Sequence, residues 1–126
     1  MPLVRIHVVK AHLKIHAGHI GDKMNPRVHM QLGQDGQEWF SPIVEDGGHE
    51  PHWKEDAFHD FEFPAVHHHL HIKVRNVHLG QDHHLGEADV LFASLHEHHH
   101  GHHEVKIDLH HEGAEVGHLV VKYHVM

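Results

Sequence analysis

Short runs in which every second residue is apolar, broken by turn residues at close intervals, leave this chain one broad architecture. Val4, Ile6 and Val8 alternate with Arg5 and His7; Val28, Met30 and Leu32 alternate with Arg27, His29 and Gln31. Leu70, Ile72 and Val74 alternate in the same way with His69, His71 and Lys73. A strand sends successive side chains to opposite faces, so each run reads as a strand with one face on a core and one in water. Asp35-Gly36 and Glu45-Asp46-Gly47-Gly48 are turn signals between such runs. Eight strands are expected, over 4–11, 28–32, 39–44, 53–63, 70–74, 87–95, 104–109 and 118–125. The fold class is therefore all-β and antiparallel, and the only helical stretch is a single turn within 93–99.

The 126 residues suit one domain, 1–126, and 39% hydrophobic content is enough for a core. The absence of cysteine excludes disulfides, zinc–thiolate sites and cysteine catalysis. No apolar run approaches the roughly 20 residues of a membrane span, so no transmembrane segment is expected. The start at Met1-Pro2-Leu3 enters a strand pattern at once, with no signal peptide, which points to a cytoplasmic protein with peripheral membrane attachment. There is no Gly-x-Ser-x-Gly elbow, phosphate-binding glycine loop or His-Glu-x-x-His pair, and Ser41 and Ser94 are the only serines. An enzyme is not expected.

Histidine is the outlier, at 25 residues against a net charge of −8 with histidine neutral. Eight protonations cancel that charge, and an unperturbed imidazole titrates near pH 6.5, so the field changes sign in mild acid. At neutral pH the acidic balance disfavours nucleic acid.

Six further motifs run in order along the chain. They are Val8-x-x-Ala11-x-Leu13, Met24-Asn25-Pro26-Arg27-Val28, Glu50-Pro51-His52-Trp53, Phe61-x-Phe63-Pro64, Leu70-x-Ile72-x-Val74 and Leu85-Gly86-Glu87-Ala88. Together they resemble C2 domains over nearly the whole length. The resemblance implies an eight-stranded antiparallel β-sandwich. Because the first strand leads straight into the first loop, it implies the permuted, type II topology of small plant-type and phospholipase-type members. It also implies a binding module for anionic phospholipid membranes or protein partners.

C2 domains typically hold calcium on aspartates of the first and third loops at one end of the sandwich. Carried across, those positions fall at His19, Asn25, Asn76, His78 and His83, with Asp22 and Asp82 nearby. Calcium takes oxygen ligands, and imidazole suits zinc, nickel or copper. Calcium is therefore not expected, and a zinc or other transition-metal site over His19, Asp22, Asn25, Asn76, His78, Asp82 and His83 is the candidate. Solvated loop histidines are the alternative. His69 and His71, on one side of a strand, form a second candidate chelate, and 96–103 is a histidine-rich surface loop. His59 shares parity with Phe61 and is a candidate for partial burial.

Arg5, Lys73 and Arg75 are the candidate basic residues for a membrane or partner. A monomer is expected, with metal-bridged association as the variation that histidine-rich edges allow. The competing reading is an engineered, histidine-enriched scaffold without a natural ligand.

Overall fold

A computed structural model describes residues 3–14, 24–33, 36–62, 69–78, 81–91 and 102–125. Within them eight strands run in order: β1 (Leu3–Leu13), β2 (Pro26–Leu32), β3 (Glu38–Phe40), β4 (Phe58–Glu62), β5 (His69–His78), β6 (Gln81–Leu91), β7 (His102–His111) and β8 (Ala114–Val125). All pairings are antiparallel, in the order β3-β2-β5-β6-β7-β8-β1-β4. Among the described residues the ladder is continuous except at β6–β7, where one residue pair, Glu87 and His110, joins the halves. That junction divides the strands into a first sheet, β3-β2-β5-β6, and a second, β7-β8-β1-β4.

The alternation of the sequence becomes burial. Val28, Met30, Leu32, Leu70, Ile72, Val74 and Leu85 from the first sheet share one core with Val4, Ile6, Val8, Phe61, Leu109, Leu119, Val121 and Tyr123 from the second. Two sheets packed face to face over one core make a sandwich. β1 lies inside the second sheet, between β8 and β4, as the permuted topology requires.

Strand limits differ from the expected ones for local reasons. The stretch 39–44 pairs only over Glu38–Phe40, because Ser41-Pro42 ends the ladder and a proline carries no N–H. The stretch 53–63 pairs only over Phe58–Glu62, preceded by an isolated bridge between Lys10 and His52. The expected third loop is mostly ladder: β5 and β6 stay paired out to His78 and Gln81. β7 and β8 meet through Glu112-Gly113, whose φ values of 52° and 85° suit a two-residue hairpin turn. The Glu112-Gly113 pair extends both strands well past their expected ends. The segment 93–99 lies outside the described residues.

Trp39 packs inward and Phe40 faces outward at 46% exposure. His59 is half-buried between sheets, stacked on Trp39 at 6.2 Å and edge-on to Phe61 at 4.7 Å. Ser41 is buried and spent: its Oγ accepts the Val28 N–H at 2.9 Å and donates to Pro42 O at 2.9 Å. Ser94 lies outside the described residues. Among the described residues no helix is long and apolar enough to cross a membrane.

Candidate functional site

Where the chain enters β2, Asn25 ties three segments together. Its backbone N–H donates to Asn76 Oδ1 at 2.7 Å, its Nδ2 donates to Val77 O at 3.0 Å, and its Oδ1 accepts the Asp46 N–H at 2.8 Å. The Val77 N–H returns a bond to Asn25 O at 3.0 Å. Asn76 is buried, at 5% exposure. A carboxamide suits this place because it donates and accepts without charge, whereas a carboxylate there would have to be stripped of water.

Beside this network Asp82 is held by two arginines. Arg27 Nη2 donates to Asp82 Oδ2 at 3.0 Å, and Arg75 Nη1 lies 3.9 Å from the same oxygen. Arg27 and Arg75 stand opposite one another across β2 and β5. Like charges so placed repel, and Asp82 offsets the repulsion. The Arg27 guanidinium also lies 4.9 Å over the Phe40 ring, against which His29 stacks at 4.4 Å.

From here the outer face of the first sheet reads in ranks across β2, β5 and β6. Arg27, Arg75 and His84 form one rank; His29, Lys73 and Glu87 the next; Gln31, His71 and Asp89 the third. The rank order depends on a bulge between Val74 and Arg75, which lets Leu85 enter the core while His84 stays outside. His69 and His71 turn toward the same carboxylate, with their Nδ1 atoms 3.0 and 3.9 Å from Asp89 Oδ1. His29 Nε2 lies 2.6 Å from Glu38 Oε1. A hollow of about 300 Å³ opens over His29, Gln31, Gly33, His71 and Lys73.

The expected site residues are thus distributed. Asn25 and Asn76 come together, but their oxygens are occupied by backbone donors. Asp82 belongs to the arginines, and His83 stands exposed opposite Asn76. His78 pairs with Gln81 through the backbone; its side chain, like His19 and Asp22, lies outside the described residues. Among the described residues no three His, Asp or Glu side chains are grouped to hold a metal ion as they stand.

Lys73 and Arg75 share a face, but Arg5 does not join them. It projects from the second sheet, where its Nε and Nη2 donate to Asp60 at 2.7 and 3.1 Å and its guanidinium covers Phe58 at 4.3 Å. The third basic residue of the first-sheet face is Arg27. The sequence reading sets Arg27 outward, in the alternation before Val28, but leaves it out of the candidate basic residues.

It also passes over Asp89, and over Glu45 and Asp46, which line a hollow of about 320 Å³ with Asn25, Ile43 and Val77. Asp89 sits two residues after Glu87 in the same alternation, which marks it as outward; the bulge between Val74 and Arg75 is what sets it against His71.

Protonation follows the same geometry. The hydrogen bond from Arg5 holds the Asp60 carboxyl below its ordinary value, and that from Lys14 does so for Glu115. Burial pushes the His84 imidazole down; Glu87 opposes this, while His111, Arg75 and Lys73 add to it. Burial likewise lowers His118, helped by Lys106 and His12 and opposed by Asp108 and Glu115.

A family model described as the C2 domain matches residues 3–107. The fold is similar to a C2 domain of plant extended synaptotagmin 1, with a TM-score of 0.80 and 17% identity over 98% of this chain and 92% of that one. It is similar to a calcium-bound fragment of extended synaptotagmin 2 that holds a pair of C2 domains, at a TM-score of 0.71 and 18% identity, covering 98% of this chain and 45% of that one. A C2 domain-containing protein from a putative elicitor-responsive gene gives a TM-score of 0.71 and 18% identity over 97% and 86%. No curated protein matches the chain.

Proposed function

The chain belongs to the C2 domain family, and from that premise we propose that it is a non-catalytic module that attaches to anionic phospholipid surfaces without calcium. Histidine protonation and transition metals set the strength of that attachment. The observation that supports this most directly is the outer face of the first sheet. It carries three permanent cations, Arg27, Lys73 and Arg75, against four carboxylates, Glu38, Asp82, Glu87 and Asp89. Four imidazoles, those of His29, His69, His71 and His84, lie among them. Near neutrality the face is close to balanced, and in mild acid it is cationic and attracts anionic headgroups.

Calcium independence rests on a different part of the molecule. The extended synaptotagmin 2 fragment is calcium bound. Here the corresponding end carries neutral Asn25 and Asn76, already satisfied by backbone groups, and Asp82 neutralised by Arg27. Among the described residues this end offers Glu45 and Asp46 beside Asn25 but no group of three ligating side chains, short of the six to eight oxygens that calcium takes.

Sedimentation with phosphatidylserine vesicles from pH 7.5 to 5.5, in chelator, calcium or zinc, tests the reading. Binding should climb as the pH falls, ignore calcium, and change with zinc. Equal binding throughout overturns it and leaves a scaffold without a ligand; a rise in calcium alone overturns the calcium-independent part.

A further inference from the structure

Among the described residues, the β6–β7 ladder that joins the two sheets consists of a single residue pair, Glu87 with His110. Next to it, His84 from β6 and His111 from the end of β7 face each other with ring centroids 5.0 Å apart and planes inclined at 42°. Two carboxylates attend them. Glu87 Oε2 lies 3.5 Å from His84 Nε2, and Glu112 Oε1 lies 3.8 Å from His111 Nε2.

We propose that His84 and His111 are the anchor of a transition-metal site that clips the first sheet to the second. This rests on the metal-responsive part of the reading above and says where the tightest ion sits.

The spacing is what coordination demands. With zinc–nitrogen bonds of about 2.0–2.1 Å and tetrahedral angles, two imidazoles on one zinc have ring centres about 5 Å apart. Glu87 and Glu112 are 57% and 85% exposed, so rotation of either side chain meets little resistance. The pair as it stands is a two-ligand anchor; a carboxylate and water complete the shell when the ion arrives.

Burial of His84 favours the neutral imidazole, which is the form a metal binds. Lys73 and Arg75 oppose an incoming cation, and Asp82, 3.9 Å from Arg75, tempers the second of them. His69 and His71, by contrast, lie on one strand and already share Asp89. An ion held there bridges nothing across the sandwich.

The test uses the full chain titrated with zinc against a chromophoric chelator, together with its melting temperature. The intact chain should bind one zinc more tightly than the rest and melt higher with it. The double variant His84→Gln, His111→Gln should weaken that first ion at least tenfold and lose the upshift. The control His69→Gln, His71→Gln should keep both.

Retention of the tightest ion by the seam variant, or its loss in the control, places the site elsewhere and overturns the proposal, while metal binding as such survives. No zinc uptake by the intact chain overturns both. Should the double variant not fold, nickel-induced line broadening in the unaltered protein decides: amides of residues 84 and 111 broaden first, or the assignment is wrong.

Discussion

The Asn25 N–H and the Asn76 carboxamide oxygen, 2.7 Å apart across 51 residues of sequence, fasten the entry of β2 to the far end of β5. A position where the resemblance implies a metal-binding aspartate has become a structural joint.

Removing the acceptor should show its worth. Asn76→Leu leaves the Asn25 N–H without its partner in a site closed to water. The cost should be about 1–3 kcal/mol, read as a lower urea midpoint with an unchanged slope. A midpoint equal to that of the unaltered chain would mean the bond contributes nothing.

Restoring the acids should restore the ion. The double variant Asn25→Asp, Asn76→Asp loses the Asn25 Nδ2 bond to Val77 O and brings two carboxylates together. It should melt below the parent in chelator and recover part of the difference in millimolar calcium. The parent should be indifferent to calcium in the same thermal-shift series.

Charge reversal separates the two faces. Lys73→Glu with Arg75→Glu removes two cations from the first sheet, each worth about 1 kcal/mol near an anionic surface. Vesicle affinity at pH 5.5 should drop more than tenfold. Arg5→Glu, on the second sheet, should change it less than threefold; comparable losses would show that both faces meet the membrane.

Stability should fall in two stages on acidification. His84 and His118 have lowered values in the fold, so the folded chain resists protons that the unfolded chain accepts. Their contribution is complete above the ordinary imidazole value of about 6.5 and is lost as the pH falls through their lowered values. Asp60 and Glu115 are also lowered, so theirs is complete above about 4 and lost only in stronger acid. Melting temperatures from pH 8 to 3 should show both declines, and His118→Gln should shrink the upper one. A flat profile between pH 7.5 and 5.5 would contradict it.

Strand existence was legible because it rests on period-two burial: Val4-Ile6-Val8, Val28-Met30-Leu32 and Leu70-Ile72-Val74 are all core. Strand ends were not, because they are decided by pairing. Nothing local marks β5 as continuing through Asn76 to His78; its ladder with β6 does. The site shared this limit. Alignment could place Asn25, Asn76 and Asp82 near one another, but their fate depends on who donates to whom, and Arg27 reaches Asp82 from 55 residues away. His69 and His71 were correctly set on one side of a strand, while the carboxylate between them came from a neighbour whose register only the fold supplies.

The sandwich has two long ladders and one short hinge line. Among the described residues a single pair holds β6 to β7 in the ladder, so the leaves can part along that line without breaking another of its described rungs. Amide protons there should exchange with solvent sooner than those of β1 or β5, which are paired on both flanks. Beyond that pair, opening there is opposed by packing, with Gly86 lying so close to Leu109 and Val116 that a methyl group at its Cα would come within 3.0 Å of each. Among the described residues, the strand junction with the fewest ladder pairs is thus packed closely around a glycine.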